Sequence, residues 1–343
     1  MSEQQLPPFI QALLDSSIYP HPAEDISLVQ THISFVLLAG EFVYKFKKPV
    51  DFGFLDFSSL EKRKYCCEQE LSLNRRLCPD IYLDVMTVNQ EGDTFSLGGS
   101  GEVVEYGVKM KRMPEEKMMS NLIKAGKLTT THLDRIVATL VPFYNNAATG
   151  EKLQKFGKAE AVGVNVLENF EQTASFVGQG ALDREQFEAI RTYATEMLGR
   201  HELFERRIAG DYIRDCHGDL HSVNICLPDN AVYIYDCIEF NERFRFHDVA
   251  CDVAFLAMDL DFYELSHLSD YFIDQFIQAS GDSSLHEVLD FYKCYRAYVR
   301  GKIGLFTAAD PVVGEEVRQA SLTSAGKYFS LAHRYARSDQ QPG

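Results

Sequence analysis

Nowhere in this chain do apolar residues run uninterrupted for the roughly 18 to 20 positions that a membrane span requires, so a spanning helix is excluded. The opening MSEQQLPPFIQALLDSS lacks a basic stretch followed by an apolar core and a small-residue cleavage site; export is not indicated, and a cytoplasmic protein is expected. No two of the eight cysteines, at 66, 67, 78, 216, 226, 237, 251 and 294, are spaced C-x-x-C. A chain of 343 residues can bury a large core without staples, so these read as reduced thiols. Positive charge is also scarce. With 34 Lys and Arg against 50 Asp and Glu, the net charge is −16, which opposes binding to nucleic acid or anionic lipid, since both depend on basic side chains. There is no internal repeat, no low-complexity segment and no G-x-x-x-x-G-K-[ST] phosphate loop.

What the sequence does contain changes character near Pro114. Phe9, Ile10, Leu13 and Leu14 have helical spacing. THISFVLLAGEFVYKFKKPV then reads as a β-hairpin about Ala39, Gly40 and Glu41. Ser58 and Ser59 precede LEKRKYCCEQELSLNRRL, a helix that must stop before Pro79, and IYLDVMTV, FSLGG and VVEYGVKMKRM read as strands. Beyond Pro114 the pattern turns helical. Thr131 is placed to cap a helix carrying Leu133, Ile136, Val137, Leu140 and Val141, and Asp183 with Gln186 to open another that ends near Gly210. IRD, NICL and VYIYD are read as strands, and DVACDVAFLAMDL, LSDYFIDQFIQA and HEVLDFYKCYRAYVRGKIGLF as helices. The expected class is α+β: a β-rich lobe over 1–113, a mostly helical lobe over 114–335 and a disordered tail over 336–343.

The chemistry-bearing residues concentrate in CHGDLHSVNICLPDNAVYIYDCIEF, residues 216 to 240. One reading is a zinc site on His217, Asp219 and His221, which have suitable ligand types, but no further His-rich cluster completes it. The other is phosphoryl transfer. A base for the acceptor hydroxyl and a metal ligand must face one phosphate, and an Asp with an Asn five positions on, across a tight loop, supplies both: Asp219 and Asn224. A second hard oxygen donor for magnesium is expected at the end of the following strand, where Asp236 closes VYIYD.

H-G-D-L-H-S-V-N followed by I-Y-D resembles the catalytic loop and metal-binding aspartate of the aminoglycoside phosphotransferase-like kinases, within the protein-kinase-like superfamily. Over roughly residues 28 to 330, and in VYKFKKPVDFGFLDFSSLEKRKYCCEQELSLNRRL and DCIEFNERFRFHDVACDVAFLAMDL above all, the chain looks most like an uncharacterised bacterial branch, some of whose members also carry a P-loop kinase domain. The resemblance implies a two-lobed protein-kinase-like fold. It implies ATP or GTP as phosphoryl donor in a cleft near Pro114, Mg2+ on Asn224 and Asp236, and Asp219 as the base. It further implies a strand lysine holding the nucleotide phosphates, Lys45 with Lys47 and Lys48 as alternatives, paired to a helix glutamate, Glu70 with Glu68 as alternative. VKMKRMP resembles the strand and hinge that line an adenine, with backbone groups from Met110 to Met113. His217 is implied to brace the loop, and Asp248 and Asp252 to tie the metal-binding segment to the next helix through backbone amides and Arg243 or Arg245.

Two departures matter. No G-x-G-x-x-G precedes Lys45; the corresponding turn is Gln30 to Ser34, leaving Ser34, Thr31 or backbone amides to meet phosphate. Cys237-Ile238-Glu239 stands where protein kinases have Phe-Gly after the aspartate, so an activation-loop switch is not implied. The acceptor implied is a small hydroxylated molecule. The ten acids and absent bases between Arg245 and Lys293 favour a cationic one, and nothing indicates a protein partner. A nucleotide-binding module without catalysis would keep Lys45 and Asp236 alike, and stays open.

Overall fold

The computed structural model describes residues 6–338. The chain divides into two units, Met1–Met118 with Pro228–Glu242, and Met119–Leu227 with Arg243–Gly343.

The first unit opens with α1 (Pro8–Ala12), which stops two residues short of the apolar spacing; Leu14 lies past its end and is exposed. Then come β1 (Ser27–Gln30), β2 (Ser34–Ala39), β3 (Phe42–Lys47), α2 (Leu60–Asn74), β4 (Tyr82–Glu91), β5 (Thr94–Leu97) and β6 (Glu102–Lys111). The strands form one antiparallel sheet in the order β1-β2-β3-β6-β4-β5. Gly40 makes the β2–β3 turn at φ +61°, a left-handed conformation that a residue with a Cβ rarely adopts. Because strand side chains alternate, Tyr44 and Phe46 enter a core with Leu37, Ala39 and Val88, while Lys45 and Lys47 share the opposite face. Ser59 caps α2 by accepting the Lys62 amide, and the buried stripe of α2 is Arg63, Cys66, Cys67, Glu70, Leu73 and Asn74. Three of those six are polar or charged, so the helix meets the sheet through paired groups as well as apolar ones. Arg63, for one, is bonded to Glu105 of β6 at 2.9 Å.

The second unit begins with α3 (Met119–Lys124), α4 (Thr130–Asn146), α5 (Glu151–Gln154), α6 (Ala159–Thr173), α7 (Arg184–Leu198) and α8 (His201–Ala209), then β7 (Ile213–Asp215) and β8 (Ile225–Cys226). The chain returns to the first unit with β9 (Tyr233–Ile234), and the second resumes with β10 (Phe246–Asp248), α9 (Val249–Phe262), α10 (Ser266–Ser280), α11 (His286–Ala309) and α12 (Glu315–Ser338). β7 pairs with β10, antiparallel. α9 is buried all round, with α10, α11 and α12 packed on it.

Several expectations need correcting. The cap of α4 is Thr129, not Thr131, because His132 Nδ1 can accept the Thr129 amide in a reciprocal box. Asp183 and Gln186 do open a helix, but it ends at Gly199, and α8 covers the rest of the span toward Gly210. NICL and VYIYD form only two-residue strands. The tail expected from 336 is helical through Ser338, since Ala336 is buried; residues 339–343 lie outside the described residues.

Candidate active site

In the second unit, the loop between β7 and β8 is shaped from beneath by α9. The carboxylate of Asp252, fully buried, accepts the amides of His217 (2.7 Å) and Gly218 (2.9 Å) and the Tyr144 hydroxyl (3.1 Å). Gly218 turns the chain at φ +90°. His217, buried, accepts the Asp219 amide on Nδ1 (3.2 Å), so it braces the loop. Two turns along α9, Asp259 accepts the Ser222 amide (2.8 Å), and Asn224 Nδ2 closes the loop by donating to the Asp219 carbonyl (3.0 Å) and to Asp219 Oδ2 (2.9 Å). Asp219 and Asn224 are thus brought together.

Asp219 keeps 34% of its side chain exposed, with His221 Nε2 3.4 Å from Oδ2. Burial pushes its carboxyl up, but His221, Arg300 and His217 outweigh that and hold it well below the usual carboxylate range. His221 lies against the Phe255 ring, 5.1 Å between centroids. Arg300, on α11, was not singled out in the sequence, because only the tertiary packing brings α11 to this loop.

The buried aspartates take backbone amides as expected, but the arginine differs from expectation. Asp248 is held by Arg207, whose Nε and Nη2 both lie 2.7 Å from it, and it caps α9 through the Ala250 amide. Arg243 pairs instead with Glu168 and Arg245 with Asp215. Arg207 also grips Asp282, 75 residues away, a partner that no local pattern announces.

In the first unit a chain of alternating charges runs through α2. Lys45 Nζ lies 2.9 Å from Glu70 Oε1 and 2.5 Å from Asp236 Oδ1. Lys47 Nζ lies 2.8 Å from Glu70 Oε2 and bonds Glu239 Oε1. Lys45, Glu70 and Asp236 are therefore brought together, and Lys47, kept open as an alternative to Lys45, reaches the same glutamate. Exposure separates the two lysines: 15% of the Lys45 side chain is open against 1% of Lys47. Burial by itself would raise the Glu70 carboxyl, but Lys45 and Lys47 bring it down to about 2. At Glu239 burial prevails over Lys47, and its carboxyl is shifted upward. Glu68, the alternative to Glu70, is exposed, 3.9 Å from Lys64.

Asp236 has φ +63° and leaves 43% of its side chain open. An aspartate in the left-handed region is uncommon and marks a constrained position. Its amide donates to the Tyr82 hydroxyl (3.3 Å), the Cys237 amide to Asn74 Oδ1 (2.9 Å), and the Cys78 thiol to the Ile234 carbonyl (3.0 Å). Met110 is buried on β6 opposite Val43 and Tyr82, and Met113 lies just past the strand, half-buried. Ser34 is not brought to Lys45. It pairs in register with Lys47, and its hydroxyl is buried without a hydrogen-bond partner.

The zinc reading finds no support in this geometry. Among the described residues, the ligand atoms that gather within 4.8 Å are those of Cys216, His247 and Asp252, not those of His217, Asp219 and His221. Asp252 there already accepts three hydrogen bonds, and the Arg296 guanidinium 4.0 Å away opposes a cation. All eight cysteines are buried. Among the described residues no helix is long and apolar enough to cross a membrane.

No protein-family model matches the chain. Its structure is similar to that of a choline/ethanolamine kinase family protein from Mesorhizobium loti, at a TM-score of 0.56 and 10% identity over 97% of this chain and 100% of that one. It is also similar to an amicoumacin kinase in complex with AMP-PNP, Ca2+ and Ami, at 0.51 and 11% identity over 93% of each chain. At such low identity the likeness shows the fold, a kinase-like one. In sequence, the chain is 33% identical over 295 residues to an uncharacterised protein of Mycobacterium tuberculosis. That alignment covers 84% of this chain and 57% of the mycobacterial protein, so the chain spans little more than half the length of the curated relative it matches.

Proposed function

We propose that the protein is a phosphotransferase that moves the γ-phosphate of ATP or GTP to a hydroxyl of a small molecule. The observation that carries this reading is Lys45 Nζ held between Glu70, at 2.9 Å, and Asp236, at 2.5 Å, on a small-molecule kinase fold. A buried glutamate keeps the ammonium charged and aimed, the state in which it serves nucleotide phosphates. The half-exposed carboxylate of Asp236 and the amide oxygen of Asn224 are hard oxygen donors of the kind magnesium takes, and they fit the role of its ligands. A divalent ion on donors of this kind would neutralise phosphate charge as the transferred group leaves its nucleotide. The AMP-PNP and Ca2+ of the amicoumacin kinase complex are in keeping with such use.

Asp219 is the base of this reading. Its depressed carboxyl makes it an acceptor of the hydroxyl hydrogen bond at neutral pH and a weak proton abstractor. That suits a loose transition state, in which the acceptor must be oriented early and its proton need leave only late. Asn224, by donating to Oδ2, fixes which way the carboxylate faces. Met110 and Met113 complete the proposed nucleotide contacts; Ser34 drops out of them, since its hydroxyl is sealed, its amide donates to Thr31 Oγ1 and its carbonyl accepts the Thr31 amide.

The acceptor is proposed to be a small hydroxylated molecule. The case for a cationic one loses half of its electrostatic basis: of the ten acids between Arg245 and Lys293, five (Asp248, Asp252, Asp259, Asp261 and Asp282) are buried and bonded inside the unit. Amino alcohols still belong in the first screen, because the structural relatives include choline/ethanolamine and aminopropanol kinases. The test is release of ADP from Mg-ATP, or of GDP from Mg-GTP, over a panel of amino alcohols, sugars and aminoglycosides, with Asp219→Asn as blank. An Asp219→Asn protein that transfers phosphate as fast as wild type contradicts the assignment.

A further inference from the structure

The Lys45–Glu70 pair accounts for only one oxygen of Glu70. The other is taken by Lys47, a second buried lysine two residues along β3, whose own charge is balanced by Glu239. A carboxylate held on one oxygen can still rotate about its terminal bond; one held on both, in a site it does not share with water, cannot. Glu70 is 0% exposed, Lys47 1% and Glu239 6%, so none of these contacts is screened by solvent. The Phe57 ring lies 4.8 Å from Lys47 Nζ and closes the site on a further side.

The second half of the observation concerns the main chain. Glu239 lies three residues past Asp236, and the left-handed turn at Asp236 sends the chain back toward Lys47. Between them, Cys237 donates to Asn74, one helical turn beyond Glu70 on the same face of α2, and Arg76 Nη2 lies 3.3 Å from the Cys237 sulfur. On the other side of Asp236, Cys78 holds the Ile234 carbonyl. The segment bearing Asp236 is thus fastened on one flank to the helix bearing Glu70 and on the other to the turn that follows that helix.

We propose that Lys47 and Glu239 are positioning residues, which set Glu70, Lys45 and the Asp236 backbone in the nucleotide-binding arrangement before any nucleotide arrives, so that this segment does not order on demand. The inference rests on the reading of Lys45 and Asp236 given above. The Cys-Ile-Glu that replaces Phe-Gly is, in this account, the source of the lock: the third residue supplies the carboxylate that makes a second buried lysine tolerable.

The test titrates Mg-ATP into wild type, Glu239→Gln, Lys47→Met and Lys45→Met by calorimetry at low temperature, and records the melting of each without nucleotide. Glu239→Gln keeps the shape of the side chain and removes its charge. It and Lys47→Met should bind Mg-ATP about 10- to 100-fold more weakly, the range seen when supporting partners of a metal site are removed. If both fold and bind Mg-ATP as wild type does, with only their melting lowered, the role is structural and the proposal is overturned. Hydrogen exchange on the wild type decides the matter even where a variant fails to fold. The Cys237 amide should be as protected without nucleotide as with Mg-ATP; protection that appears only with Mg-ATP overturns the proposal. Failure of the underlying reading looks different: wild type then shows no Mg-ATP binding, or Lys45→Met binds as tightly as wild type.

Discussion

Asp219 stays ionised at neutral pH because His221, Arg300 and His217 oppose the cost of its burial. Asp219→Asn keeps the shape that Asn224 braces but removes the charge that orients a hydroxyl, so turnover should fall by about 10² to 10⁴, the usual contribution of a general base, while Mg-ATP binding persists. Steady-state ADP release and calorimetry on the same protein check both halves. Glu70 yields a pH prediction of definite sign. Its carboxyl is lowered from 4.5 to about 2, so it favours the folded state above pH 4.5, and that contribution fades as the pH falls toward 2. The stability lost in Glu70→Gln should accordingly be largest above pH 5 and shrink through this window in denaturant titrations. At this scale Asp219, Asn224 and Asp236 stood out by residue type and spacing, and Lys45 and Glu70 only through the resemblance; the fold brings Asp219 to Asn224 and Lys45 to Glu70 and Asp236. Lys47 was legible only as a competitor for Lys45. Its pairing with Glu239 spans 192 positions and has no local signature.

Among the elements, α2 shows why a helix that carries function has a weak apolar stripe: its buried face must hold Arg63, Glu70 and Asn74. α11 and α12 show the opposite case, close approach bought with small residues. A Cβ on Gly301 would sit 2.7 Å from the Phe329 ring, and one on Gly304 would sit 3.0 Å from Ala325 Cβ. Alanine is the better helix former by about 1 kcal/mol. Gly301→Ala should nonetheless destabilise the protein by about 1 to 3 kcal/mol, the usual cost of overpacking; Phe329 is fully buried and has little room to move. Chemical denaturation checks the sign, and a gain in stability would mean that the two helices yield. Most strands and α2 of the first unit were legible from alternation and caps; β1, which is largely exposed, and the α7 to α8 break were not, the latter since Gly199 lies within a run of good helix formers.

For the whole molecule, ligand linkage offers the broadest test. Mg-ATP at 100 times its dissociation constant should stabilise the wild type by about 2.7 kcal/mol. Asp236→Ala should abolish most of the resulting rise in melting temperature while leaving a folded protein, because 43% of that side chain is open to solvent. Composition and charge placed the chain among acidic folded proteins. The order of its motifs, read through the resemblance, pointed to a kinase-like fold, and the α+β class followed from periodicity; all of these depend on residues near one another in sequence or on totals. The tertiary structure alone decided which acids serve as internal counter-ions and which remain to act. It put Asp252 beneath the catalytic loop, Arg207 between Asp248 and Asp282, and Lys47 between Glu70 and Glu239. The reason is electrostatic: a buried charge must find its partner wherever the fold brings one, and distance along the chain does not limit that choice.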